Sequence, residues 1–374
     1  MDYYLDGAST TQPKSEVVNT ITDVLKNVWG NPSSKHSLGK VARDIVDSSR
    51  KTIADFIGAK PSEIIFTSGA CESNAMAIMG YLKKNSGLFF TTEIEHKSIM
   101  NCSKALSTEY IPVDNVGFVN LSLLNSILGN YYNRNKLVSI QFANNEIGTI
   151  QEMEEIAEIV HSNNGILHTD ATQIIPDRPI NVKELGIDMM SFSGQKFGAP
   201  KGIGVLYVKD GIELEPIIYG AQENSLRGGT ENVAFIAGMA KAIELIEYTT
   251  NYGRDYFFER LKHKINDIYL IGGLTWRLNN NLSICFKGIE ANTLVNCLNT
   301  DGIFVSTGSA CNSNSIEPSY VLKAVGIPEE DIYSVVRITT DFDKLTFEDV
   351  EYITDKIADN VELLKSFKIS LKEV

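Results

Sequence analysis

The sequence predicts an α/β fold: a large domain on a mainly parallel sheet between helices, joined to a smaller α+β domain. Three observations carry that expectation. Between residues 63 and 209 short β-rich runs alternate with helical patterns, the order that winds a parallel sheet. The runs are continuously apolar, as strands covered on both faces are. Beyond about residue 255 helical stretches flank a few short strands instead. The expected boundaries are 15–255 for the large domain, and 1–14 with 256–374 for the small one.

Taken in order, residues 63–67 (EIIFT) read as a strand, followed by a Gly turn. A helix is expected over 72–82, where Ala75, Met76, Met79 and Leu82 recur at helical spacing. Residues 88–92 (LFFTT) and 137–142 (LVSIQF) are buried-type strands. Residues 153–161 form an amphipathic helix with Ile156, Ile159 and Val160 on one side. Strands return at 166–170 (ILHTD), 189–193 and 205–208. Later helices are expected over 255–268, 292–298 and 346–367, with strands near 282–286, 303–306 and 335–338.

Composition narrows the function classes. Lys plus Arg is 34 and Asp plus Glu is 47, a formal net charge of -13. Phosphate-rich partners repel such a chain, so a direct nucleic-acid or acidic-membrane role is not expected. No apolar run approaches the roughly 18 residues of a membrane span. The opening Met1-Asp2-Tyr3-Tyr4-Leu5-Asp6 lacks the basic-then-apolar pattern of an export signal. The five scattered cysteines are then expected to be reduced thiols in a cytoplasm. The five histidines show no metal-ligand spacing with each other or with cysteine, so no metal is expected.

In a parallel sheet, polar residues just past the strand ends are the informative ones, because ligands bind there. Thr67-Ser68-Gly69-Ala70-Cys71-Glu72 joins a strand to a helix, and reads either as a tight turn or as a cradle for an anion. Asp170 ends an apolar strand, either to cap the next helix or to face a cationic ring nitrogen. Lys196 sits among small residues and Gly turns, either solvated or placed to bond an aldehyde. His96 comes just past another strand. Arg337 lies within a strand, where a buried arginine has an anionic partner, internal or external. Residues 305–315 are small and polar, so a mobile loop with an exposed Cys311 thiol is expected. A lysine, a carboxylate and anion donors in this order suggest pyridoxal phosphate.

Longer motifs sharpen that suggestion. They are Gly30-Asn31-Pro32-Ser33-Ser34, Phe66-Thr67-Ser68-Gly69, Glu95-His96-Lys97 and Asn144-Asn145-Glu146-Ile147-Gly148. Further along come Asp170-Ala171-Thr172-Gln173, Pro200-Lys201-Gly202-Ile203-Gly204 and Arg227-Gly228-Gly229-Thr230-Glu231-Asn232. Gly308-Ser309-Ala310-Cys311 with Glu317-Pro318-Ser319 completes the set. With these motifs the sequence resembles the cysteine desulfurases of the NifS/IscS type, class V aminotransferases with pyridoxal-phosphate fold type I. The resemblance runs from Tyr4 to about residue 365.

The resemblance implies a role for each matched residue. Lys196 bonds the cofactor and moves protons at the substrate Cα. Asp170 holds the pyridine nitrogen protonated, and Gln173 bonds the ring hydroxyl. Asn145 lies beside that hydroxyl and the substrate carboxylate, which Arg337 grips. His96 stacks on the ring and serves acid–base steps. Ala70, Cys71 and Ser193 receive the phosphate, with Thr230 reaching over from the other subunit of a homodimer. Cys311 is the nucleophile that takes sulfur from L-cysteine, leaving L-alanine and a persulfide. The persulfide passes to an acceptor protein, such as an iron–sulfur scaffold or a thiolation enzyme. The alternatives are a selenocysteine lyase, another β-eliminating class V enzyme, or a catalytically weak binding homologue.

This sequence departs from the family pattern at several positions. Gln195 stands where a histidine usually precedes the lysine, so no positive charge is available there. Cys71 replaces the usual threonine, and a hydroxyl donor becomes a weak thiol. Ala75 replaces a common asparagine, and a serine is replaced by glycine near Gly228-Gly229. Weaker cofactor retention is expected from Gln195 and Cys71.

Overall fold

The structure is a computed structural model. It describes residues 2–308 and 318–370, with side chains as far as residue 367. Residues 309–317, which hold Cys311 and most of the loop expected over 305–315, lie outside the described residues, while Val305 and Ser306 are buried and Ser306 bonds the Arg337 backbone.

The chain opens with β1 (Tyr3–Tyr4), α1 (Ser15–Asn27) and α2 (Ser37–Ile57). The alternating part comes next. It comprises β2 (Ile64–Thr67), α3 (Ala70–Ala75), a π-turn (Met76–Gly80), α4 (Tyr81–Asn85), β3 (Leu88–Thr92), α5 (Lys97–Ser103) and β4 (Thr108–Ile111). It continues through α6 (Leu121–Gly129), β5 (Lys136–Ser139), α7 (Met153–Ser162), β6 (Gly165–Asp170), β7 (Met189–Ser193), β8 (Gly204–Val208) and α8 (Val233–Glu244). The remainder holds α9 (Tyr252–Lys264), β9 (Ile268–Leu270), β10 (Asn281–Phe286), α10 (Ala291–Thr300), β11 (Ile303–Phe304) and α11 (Tyr320–Ala324). After these come α12 (Glu329–Ile332), β12 (Val335–Thr339) and α13 (Phe347–Ser370).

Seven strands form the main sheet in the order β2-β8-β7-β6-β5-β3-β4. β8 runs antiparallel to both its neighbours, β2 and β7, while every other pairing is parallel. The ends of β2, β3, β5, β6 and β7 therefore share one edge, where Thr67, Thr92, Ser139, Asp170 and Ser193 come out. Alternate residues of the strands feed different cores. Phe66, Phe90, Val138 and Phe192 pack with residues of α1, α2, α7 and α8. Ile65, Phe89, Leu137 and Leu206 pack with the helix running from α3. This double burial accounts for the continuously apolar strands.

A separate core joins Leu5 to Phe257, Leu282, Ile303, Ile338 and Ile353. β10 pairs antiparallel with β9 and β12, while β1 pairs parallel with β11. The N-terminal residues thus pack with the last third of the chain.

Several elements differ from the sequence expectation. The helix expected over 255–268 ends at Lys264, where Lys262 and Lys264 place positive charge at its negative end. Asp267 turns the chain with φ of 64°, and Ile268–Leu270 is a strand. β4 has no counterpart in the sequence reading, because an edge strand such as Thr-Glu-Tyr-Ile is half-solvated and carries no apolar run. β5 closes at Ser139, but Ile140 and Phe142 still donate to the carbonyls of His168 and Asp170.

Candidate active site

Asp170 is buried at the end of β6. One carboxylate oxygen accepts from the Thr172 N–H (3.0 Å), the other from Asn74 Nδ2 on α3 (2.8 Å). Two residues back on the same strand, His168 lies fully buried. Its ring nitrogens meet the Ser139 and Ser191 hydroxyls at 2.8 and 2.9 Å. Burial pushes its pKa down to about 4, against the pull of Asp170. A neutral imidazole braced between two hydroxyls supports the strand beneath the carboxylate.

Lys196 closes the short 3-10 turn after β7. Its Nζ donates to the carbonyls of Ala8 (2.7 Å) and Ser9 (2.6 Å). Gln173 Nε2 donates to the same Ala8 carbonyl at 3.1 Å. The Gln195 carbonyl accepts from the Thr11 N–H and hydroxyl, and Gly198 N–H donates back to Thr11. The stretch from Leu5 to Thr11 therefore crosses the sheet edge and ties down the lysine turn.

The same stretch reaches Arg337, which is buried on β12. Its guanidinium donates to Asp6 Oδ1 (2.8 Å), Ser9 Oγ (2.9 Å) and the Asn145 carbonyl (2.9 Å). Its buried Nε has no hydrogen-bond partner among the described residues. The anionic partner expected for this arginine is present internally, as Asp6, and the Nε–H is left over. Asn145 is aimed by its neighbour: Asn144 Oδ1 accepts from the N–H groups of Glu146 and Ile147, and Asn144 Nδ2 holds the Ile94 carbonyl. Gln141 Nε2 approaches Asn145 Oδ1 at 3.4 Å.

His96 caps α5, and its Nδ1 accepts from the Ser98 N–H at 3.2 Å. Glu95 beside it is buried. Its Oε1 accepts from Thr92 Oγ1 (2.7 Å) and the Gln141 N–H (2.9 Å), while Oε2 has no partner among the described residues. Burial outweighs these donors and pushes the carboxyl up to about 8.

At the start of α3 the backbone comes very close to β8. A Cβ added at Gly204 would lie 2.5 Å from the Gly69 Cα, and one at Gly69 would lie 3.6 Å from Ser193 Oγ. Only glycine at 204 permits this approach. The first turn of the helix, at Ala70 and Cys71, then opens beside Ser193, where N–H groups lack intrahelical acceptors. The structure thus gathers Ala70, Cys71, Ser193, Lys196, Asp170, Gln173, His96, Asn145 and Arg337 at the sheet edge. Thr230 is exposed and lines a 240 Å³ cavity with Ser68, Gly202 and Arg227.

Pyridoxal phosphate fits these residues. An amine held by backbone carbonyls, a buried carboxylate, an orphaned guanidinium N–H and a helix start with free N–H groups packed against Gly204 are the donor set the cofactor and an amino acid require. Sequence reasoning missed Asp6, Ser9, Asn74 and Ser98, which touch this set from distant parts of the chain. None of them carries a pattern that marks it.

The family model described as aminotransferase class-V matches residues 3–353. A cysteine desulfurase IscS of Dictyoglomus turgidum is 41% identical over 382 residues, covering 98% of this chain and 96% of that protein. A solved NifS-like protein matches with a TM-score of 0.89 at 32% identity, over 97% of this chain and all of that one. A solved structure described as SspA in complex with cysteine matches with a TM-score of 0.81 at 31% identity, over 91% of this chain and 99% of that one.

Proposed function

This chain belongs to the class V aminotransferase family, and from that premise we propose that it is a pyridoxal-phosphate-dependent cysteine desulfurase. The observation that carries the reading is at Ser9. Its carbonyl accepts from Lys196 Nζ and its hydroxyl from Arg337. A lysine amine and a guanidinium with a spare N–H thus converge within one residue of each other, the separation at which an α-amino acid presents its amine and carboxylate.

Lys196, Asp170, Gln173 and Asn145 would hold the ring of pyridoxal phosphate, with His96 against it. Ala70, Cys71 and Ser193 would receive its phosphate, together with Thr230 of the partner subunit in a homodimer. When bound, the cofactor supplies an aldehyde for the substrate amine and an electron-withdrawing ring that makes the Cα–H acidic. Asp170 holds the proton on the ring nitrogen. Arg337 orients the cysteine carboxylate through its spare Nε–H. Lys196 takes and returns the Cα proton. The Cys311 thiolate attacks the substrate sulfur. An S–S bond forms, the C–S pair stays with the carbon fragment, and that fragment takes up a proton and leaves as alanine. The persulfide then passes to an acceptor protein in the cytoplasm, an iron–sulfur scaffold or a thiolation enzyme.

The test uses the cofactor-loaded full chain with L-cysteine and a reductant. Alanine and sulfide are expected in equal amounts, and both are lost in Cys311→Ala. Sulfide that persists in Cys311→Ala, or appears with pyruvate in place of alanine, overturns the reading in favour of β-elimination.

A further inference from the structure

A chain of hydrogen bonds runs behind the site from Asp170 to His96. Asn74, fully buried on α3, uses both protons of its amide: Nδ2 donates to Asp170 Oδ2 at 2.8 Å and to Ser98 Oγ at 2.9 Å. Ser98 Oγ lies 2.8 Å from His96 Nδ1, which also faces the Ser98 N–H at 3.2 Å. Each link has one sensible direction. A carboxylate only accepts, so the amide must present its NH2 to Asp170. Turning the amide over would set Oδ1 against a carboxylate oxygen, and Oδ1 where it stands has no partner among the described residues. Ser98 Oγ accepts from Asn74, and its own proton is free to point at the ring. His96 Nδ1 already faces the Ser98 N–H, so it takes the hydroxyl proton as a second donor. The one proton of the neutral ring is left on Nε2.

We propose that Asn74 and Ser98 are positioning residues that hold His96 as its Nε2–H tautomer and couple its orientation to the Asp170 carboxylate. The inference rests on the desulfurase reading for its consequence, since it fixes which nitrogen of His96 meets the cofactor side. For its geometry it rests only on the bonds above. A point charge at Asp170 thus sets the hydrogen-bond direction at a second catalytic side chain, through Asn74 on α3 and Ser98 on α5.

The experiment is nitrogen-15 NMR of the histidines in the full chain, with and without pyridoxal phosphate, using His96→Gln to assign the signal. In the native protein His96 is expected with a bare Nδ1 and a protonated Nε2. Ser98→Ala leaves only the longer backbone bond, and the minor Nδ1–H tautomer should rise roughly fivefold. Ser98→Thr, which keeps the hydroxyl, should restore the native signal. Asn74→Leu removes the donor that makes Ser98 Oγ an acceptor but keeps the hydroxyl, so it should shift the tautomer in the same direction by less, with no further effect when added to Ser98→Ala. In the loaded enzyme Ser98→Ala should lower kcat for alanine formation and leave KM for cysteine unchanged. Identical tautomer populations in the native protein, Ser98→Ala and Asn74→Leu overturn the inference, as does a native ring protonated on Nδ1. Should Asn74→Leu fail to fold, the Ser98→Ala and Ser98→Thr pair decides alone. A native Nε2–H ring with no alanine formation would instead reject the desulfurase reading and leave this inference standing.

Discussion

Replacing Asp6 by Asn tests how the carboxylate-binding arginine is held. Arg337 is 3% exposed and pairs with Asp6 at 2.8 Å, while the Asp6 side chain is 22% exposed. Removing one partner of a buried ion pair costs about 3–5 kcal/mol, and a charged hydrogen bond about 1.5–3. Asn keeps the acceptor and the shape, and Ser9 and the Asn145 carbonyl still hold the guanidinium, so the lower value applies, about 2 kcal/mol. With an unfolding entropy of about 2.1 cal/mol/K per residue over this chain, that lowers the melting temperature by roughly 2–3 °C. An amino-acid carboxylate can then serve as the missing counter-ion. L-Alanine, which carries no thiol, should therefore raise the melting temperature of loaded Asp6→Asn more than that of the native enzyme, by linkage. Thermal denaturation with and without saturating L-alanine measures both quantities. An unchanged melting temperature, or the same alanine increment in both proteins, would refute the reasoning.

Other consequences attach to single residues. Gln195→His should slow loss of pyridoxal phosphate on dialysis, because a histidine can carry the charge that glutamine cannot; an unchanged release rate contradicts this. Ser225 is the last of three consecutive non-glycine residues at positive φ (46°, 55° and 65° for Glu223, Asn224 and Ser225). Ser225→Gly should add about 1 kcal/mol of stability, read by urea denaturation. Glu95 keeps its proton in the folded state up to about pH 8, while the unfolded carboxyl loses it near 4.5. The folded state therefore binds more protons between those limits, and this group's contribution to stability, full below about 4.5, is lost as pH rises towards 8. Glu95→Gln should flatten that decline when denaturation is compared at about pH 5 and about pH 8; a decline of unchanged slope rejects the assignment.

The strand ends were legible because each closes a run of apolar or β-branched residues. Asp170 comes directly after Ile166-Leu167-His168-Thr169, and Ser193 directly after Met189-Met190-Ser191-Phe192. Residues just beyond such an end in a parallel sheet face the ligand edge, so Lys196, His96 and the Gly69 turn could be named from the sequence. The supports could not. Asp6 meets Arg337 across 331 positions, and Ser9 meets it across 328. Asn74 and Ser98 are small polar residues inside or at the start of helices, with no periodicity that separates them from solvated neighbours. The end of α9 was readable in principle, since Lys262-His263-Lys264 is a C-terminal charge signal. The apolar Ile265 and Ile268 just beyond it extended the helical pattern past that signal.

Transfer of sulfur from cysteine to this chain's own thiol is read by mass spectrometry after a single turnover. Loaded enzyme is mixed with one equivalent of L-cysteine without reductant, quenched in acid and digested, and free alanine is counted in the same sample. One added sulfur atom is expected on the peptide containing Cys311 for each alanine released. Alanine released with Cys311 unmodified, or the added sulfur on Cys71, Cys102 or Cys297 instead, would contradict it.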